Sequence, residues 1–123
     1  METGDRMSDL GSYLRQKREA LRASDARYSI RQVAARIDVQ PSYLSKVERG
    51  LEAPPSEKTL RRLAQDLGED VDMLLALGGK ISSDLAQIIR KRPTLFAELI
   101  RDLKDMPDHA VLRIVREVRD GNW

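Results

Sequence analysis

Cysteine is absent from the 123 residues, so no disulfide staples the chain and no thiolate can hold a metal. Aromatic residues are scarce at 4%, which leaves any core to aliphatic packing. No apolar run approaches the roughly 18 to 20 residues that cross a bilayer. The acidic start Met1-Glu2-Thr3-Gly4-Asp5 lacks the basic and apolar regions of a secretory signal. A soluble, cytoplasmic protein without membrane association is expected. His109 is the single histidine, and nothing in the sequence groups a nucleophile with a base and an orienting residue. No metal, no cofactor and no enzymatic activity are expected. An excess of charge is also missing: the net charge of +2 is too small to argue for a polyanionic partner by itself.

What is present is a helical rhythm. Leu, Ala, Ile and Val recur with charged residues at spacings of three and four, and the chain has the length of one ordinary domain, so an all-α fold is expected. Residues 1–9 are polar and unpatterned and read as a flexible tail. A first helix is expected from Ser12 to Arg22, with Leu14, Arg18 and Leu21 on one face. Ser29 is a good N-cap for a second helix through Ile37, carrying Val33, Ala34 and Ile37. After Asp38-Val39-Gln40, Pro41 suits the first position of a third helix, because its missing N–H would be unpaired there anyway; Gly50 closes that helix. The prolines of Leu51-Glu52-Ala53-Pro54-Pro55-Ser56 exclude regular structure. A fourth helix over Glu57 to Leu67 buries Leu60, Leu63, Ala64 and Leu67 and stops at Gly68. A fifth, near Val71 to Leu77, ends at Gly78-Gly79, with the acids Glu69, Asp70 and Asp72 favouring its N-terminus through the helix dipole.

Charge is distributed unevenly over these elements. Residues 10–50 hold nine Lys and Arg against four Asp and Glu, whereas residues 51–79 hold three against six. One face of a small domain is therefore expected to meet a polyanion and another to turn away from it. The two short helices joined by a turn of about three residues, from Ser29 to Gly50, form a helix-turn-helix pattern. The major groove of duplex DNA admits one α-helix, while the preceding helix crosses the phosphate backbone and holds the second in place. Ala34 is small where the two helices approach, and apolar Val39 can plug the turn.

The run Pro-Ser-Tyr-Leu-Ser-Lys-Val-Glu-Arg-Gly from Pro41 to Gly50, followed by Pro55-Ser56 and the Leu60, Leu63, Ala64, Leu67, Gly68 stripe, resembles the Xre family of phage-repressor and Cro-like domains over about residues 10–77. The resemblance implies a five-helix DNA-binding domain over residues 10–79, with double-stranded DNA as partner. It implies base contacts from Pro41, Ser42, Tyr43 and Lys46, of which Ser42 and Lys46 are the best suited, Lys46 toward guanine O6 and N7. Phosphate contacts are expected of Gln40, Ser45 and Arg49, with Tyr43 a further candidate, and, where the sequence departs from the family, of Arg27, Arg31 and Gln32. It also implies an ion pair between Arg18 and Glu48 that is structural rather than a contact to DNA. Arg22 and Arg36 are expected to be solvated or weak phosphate neighbours. The sequence departs from the family at Ile30, where a phosphate-binding Gln is common, in the insertion around Ser24 to Arg27, and at Glu52, where relatives often carry a basic residue.

Residues 80–123 carry three more amphipathic segments. The first begins at Ser82 or Ser83 and bears Leu85, Ile88 and Ile89; the second, capped by Thr94, bears Leu95, Phe96, Leu99, Ile100 and Leu103; the third follows Pro107 and bears Val111, Leu112, Ile114, Val115 and Val118. About 40 residues are too few for a secure independent core, so these stripes either fold back as extra core or pair with a second copy, and the large apolar surface favours the second, a small dimerisation segment. A homodimer would set two recognition helices one DNA turn apart on a pseudo-palindromic operator, as a transcriptional repressor does. The rival reading is an antitoxin-like or stress-response regulator whose C-terminal segment takes a toxin or regulatory protease as its protein partner.

Overall fold

The computed structural model describes residues 3–123, with side chains from Asp9 onward, and all regular structure among them is helical. The helices are α1 (Thr3–Arg22), α2 (Ile30–Arg36), α3 (Pro41–Glu48), α4 (Glu57–Leu67), α5 (Val71–Leu77), α6 (Ser83–Lys91), α7 (Pro93–Leu103) and α8 (Asp108–Asp120), with a single 3-10 turn at Ala26–Tyr28 between α1 and α2. The chain divides into two compact units, one ending at Ser82 and the other spanning Ser83–Trp123. The first extends past the Gly78-Gly79 pair, since Lys80 Nζ donates to Pro55 O at 3.1 Å and Ser82 is buried.

The core of the first unit takes residues from all five of its α-helices: Leu10 and Leu14, Val33 and Ala34, Leu44 and Val47, Leu60, Leu63, Ala64 and Leu67, then Leu74 and Leu75, with Ile37 at the end of α2. All are aliphatic, and Tyr13, Tyr28 and Tyr43 pack at its edge. Burial of each large side chain contributes about 1.5–3 kcal/mol. α1 begins earlier than the expected Ser12. Leu10 is buried one turn before Leu14, so the apolar stripe itself reaches back into the polar start. The expected tail over residues 1–9 is thus helical from Thr3, and Met1 and Glu2 lie outside the described residues.

Helix ends are set by local chemistry. Ser29 Oγ accepts from Gln32 N and Ser56 Oγ from Thr59 N, each satisfying an N–H that its helix leaves unpaired. α2 ends in a paired-bond motif in which Val39 N reaches Ala34 O at 3.0 Å and Asp38 N reaches Ala35 O. That motif needs a left-handed residue, and Asp38 supplies it at φ 63; aspartate is one of the few non-glycine residues that adopts this region readily. α3 closes the same way around Gly50 at φ 74, with Leu51 N on Lys46 O at 2.8 Å. The C-terminal ends of α2 and α3 are thereby both closed by backbone hydrogen bonds.

Two expectations on charged residues are corrected here. Glu69 does not serve the α5 dipole: its carboxylate turns to α1, meeting Lys17 Nζ at 3.3 Å and the Tyr13 hydroxyl, and these partners lower its pKa. Asp70 alone caps α5, accepting from Asp72 N at 2.9 Å. Arg36 is not simply solvated. Its guanidinium forks onto Asp66 at 2.6 and 3.1 Å and lies 5.1 Å from the Tyr28 ring centroid, fastening α2 to α4.

In the second unit no described residue is buried; Ile89, Phe96, Leu103, Val111 and Ile114 are half-buried, while Leu85, Ile88, Leu95, Leu99, Ile100, Leu112, Val115 and Val118 are exposed. Thr94 is not the cap of α7. Pro93 takes the first helical position, which moves the cap to Arg92, and no side chain bonds there.

Candidate nucleic-acid interface

α2 and α3 owe their mutual placement to the buried face of each: Val33, Ala34 and Ile37 on one, Leu44 and Val47 on the other. Ala34 has no exposed surface, as its small size at a close approach requires, and Val39 is half-buried against the core in the turn. Once that face of α3 is committed, Ser42, Lys46 and Arg49 fall on the opposite one, at spacings of four and three, and all three are exposed. Ser45 lies beside them, half-buried, and accepts from Arg49 Nε through its carbonyl at 3.4 Å. Pro41 occupies the first turn with Gln40 exposed before it.

Ion pairing sorts the cations of residues 10–50. Arg18 is 3% exposed and Glu48 7%; they form a fork across α1 and α3, with Nε to Oε2 at 2.7 Å and the second nitrogen to Oε1 at 3.0 Å. The remaining guanidinium nitrogen donates to Tyr28 O at 3.1 Å, so one side chain joins α1, the 3-10 turn and the C-terminal end of α3. Hydrogen bonding to Glu48 raises the Arg18 pKa, against the opposing effect of burial. Arg36 and Lys17 are held by Asp66 and Glu69. Arg27 is exposed, but Asp25 grips it with contacts of 2.8 to 3.2 Å, so a phosphate at this residue would have to compete with that carboxylate. By contrast, no acidic partner engages Arg31, Lys46 or Arg49 among the described residues. Among the described residues, the cations of this segment left without an acidic partner are thus Arg15 and Arg22 on α1, Arg31 on α2, Lys46 on α3 and Arg49 at its end, all exposed.

The grip of Arg27 holds the half-buried Asp25 carboxyl down at about 2. A carboxylate with a lowered native pKa contributes stability above its unfolded pKa, near 4, and loses that contribution as pH falls through the native value. Stability should therefore decline as pH drops from about 4 toward about 2. A carbon-detected NMR titration of Asp25 checks the midpoint.

On α2, Ile30 packs half-buried against the core and offers no hydrogen-bonding group to a phosphate; Arg31 and Gln32 are exposed and line an open depression with Ser29 and Ala35. Tyr43 is half-buried, and burial, with the charge of Glu52 adding to it, raises its phenol pKa. Glu52 thus puts a negative charge at the edge of α3. Glu52→Lys should raise affinity for duplex DNA several-fold at low salt and steepen the salt dependence by about one unit of log–log slope; titrations of labelled duplex at three salt concentrations would check it.

Gly11 escaped the sequence reading. A Cβ on it would lie 2.5 Å from Val47 O and 2.7 Å from Glu48 O, so the α1 backbone touches the last turn of α3 there. A glycine three residues before a buried leucine, Leu14, and next to Leu10 in the stripe was the available signal.

The helix-turn-helix family model matches residues 14–74, from the second turn of the α1 apolar stripe into α5. The second unit lies outside that match. No curated protein and no solved structure matches the chain. No helix among the described residues is long and apolar enough to cross a membrane. The matched segment, with its two hydrogen-bonded helix ends and cation-bearing outer surface, makes the chain a member of the Xre-type helix-turn-helix family of DNA-binding transcriptional regulators.

Proposed function

We propose that the protein is a cytoplasmic repressor that binds a pseudo-palindromic operator as a homodimer, with α3 in the major groove and residues 80–123 joining the subunits. The observation that carries this reading is the exposed stripe of Ser42, Lys46 and Arg49 along α3 and its end, its two cations without an acidic partner among the described residues, opposite the buried Leu44 and Val47. Ser42 and Lys46 read base edges near the start of α3, with Pro41 and Tyr43 packing beside them. Gln40, Ser45 and Arg49, together with Arg31 and Gln32 on α2, hold phosphates, and Arg27 joins them only if released by Asp25. The second unit, with exposed leucines, isoleucines and valines on all three of its helices, supports pairing with another copy, because a contiguous surface of this kind is costly to leave in water.

Selection of bound sequences from random duplex DNA, run beside light scattering, tests the proposal. A dimer that enriches a two-fold symmetric site is the expected result; a dimer that enriches nothing would refute operator binding and direct attention to a protein partner for residues 80–123. On the selected site, Lys46→Ala should cost about 1–2 kcal/mol and relax preference at one position, whereas Arg49→Ala should weaken all sequences and flatten the salt slope. Competition titrations against single-base variants separate the two effects.

A further inference from the structure

α8 presents three faces to its surroundings. Ala110, Val111 and Ile114 are half-buried within the second unit. His109, Arg113, Glu117 and Asp120 line an open polar depression. Between these runs a third stripe, Asp108, Leu112, Val115 and Arg119, at spacings of four, three and four. A helix brings such positions onto one line. Leu112 is 50% exposed and Val115 38%, and Val118, beside them, is 61% exposed. The stripe is apolar in the middle, acidic in its first turn and basic in its last. Neither Asp108 nor Arg119 has an ion-pair partner among the described residues.

This arrangement is complementary to itself under a two-fold axis and in one direction only. Two such helices laid antiparallel, with Leu112 of each against Val115 of the other, bring Asp108 of each copy beside Arg119 of the other. A parallel pair would set Asp108 against Asp108 and Arg119 against Arg119, and like charges in apposition oppose association. A two-fold interface requires that one surface patch recognise itself, which an apolar centre between opposite charges achieves. The geometry points to a second copy of this chain as the occupant: α8 pairs antiparallel with α8 across the dimer axis, Leu112 and Val115 forming the contact and the two Asp108–Arg119 pairs setting its direction. This inference rests on the homodimer proposed above and assigns the helix and the charges that specify it.

Charge reversal tests it on the full chain by sedimentation and native mass spectrometry. Asp108→Arg leaves Arg against Arg119, and Arg119→Asp leaves Asp against Asp108, so each variant alone should dimerise about tenfold more weakly. Mixed together, the two variants regain both opposite-charge contacts and should form a heterodimer as stable as the wild-type dimer. The double variant, with both charges exchanged, should return to the wild-type dimer affinity by itself. Variants that dimerise singly as well as wild type, or a mixture and a double variant that stay as weak as the single variants, would overturn the α8 pairing while the homodimer stands. A wild-type chain that remains monomeric would overturn the homodimer itself.

Discussion

Replacing Arg18 by alanine should lower the unfolding free energy by about 3–5 kcal/mol, the largest effect expected of any single side chain here, because it strands a buried carboxylate. Glu48 is 7% exposed, and its two oxygens are held by the Arg18 fork at 2.7 and 3.0 Å. Without the guanidinium that charge has neither partner nor water. Arg18→Lys should recover little of the loss, since an ammonium cannot fork onto both oxygens while also reaching Tyr28 O. Exchanging both partners for apolar residues, Arg18→Met with Glu48→Leu, should be far milder than Arg18→Ala, because it removes the stranded charge along with the attraction. Urea unfolding of the four proteins checks this series, and an Arg18→Ala loss below about 1 kcal/mol would mean that the pair is solvated rather than buried. The single change should also weaken DNA binding, since the same fork ties the end of α3 to α1.

Gly11→Ala should cost about 3 kcal/mol, at the upper end of what inserting one methyl into a packed interior costs. The neighbours of the new Cβ are the Val47 and Glu48 carbonyls at 2.5 and 2.7 Å, and backbone cannot swing aside as a flexible side chain can. Helix propensity would favour alanine by about 0.5–1 kcal/mol, so a loss despite that preference isolates the steric term. Because the clash pushes α1 away from the last turn of α3, DNA affinity measured well below the melting temperature should fall as well. Ser12→Ala, on the exposed side of α1, is the control and should lie within about 0.5 kcal/mol of wild type. Thermal melts of both variants decide it; equal melting temperatures for Gly11→Ala and Ser12→Ala would exclude the close approach.

Much of the first unit was legible because each helix carries its signals in adjacent residues. Ser29, Pro41, Ser56 and Gly68 mark starts and stops by chemistry that acts within one turn, and α4 and α5 begin and end at the expected residues. The buried stripe of α4 was equally plain from its spacing. The start of α1 was misjudged because Leu10 is a single apolar residue in a polar stretch, and only its seat in the core shows it to belong to the stripe. Thr94 was a reasonable cap by residue type, but Pro93 begins α7 one residue sooner.

The candidate interface divides in the same way. That Ser42, Lys46 and Arg49 share the outer face of α3 follows from helical spacing once Leu44 and Val47 are taken as buried. Which cations remain free does not follow, since Arg36 meets Asp66 across thirty positions of sequence and Lys17 meets Glu69 from a different helix. The sequence by itself determined most helix bounds, the turn between α2 and α3 and the outward residues of α3, because these depend on periodicity and on caps that act over three or four residues. Only the tertiary structure decided that Gly11 must lack a side chain, that the expected Arg18–Glu48 pair also reaches Tyr28 O and that Arg36 and Lys17 are already engaged, because each depends on which distant atoms lie within a few ångströms.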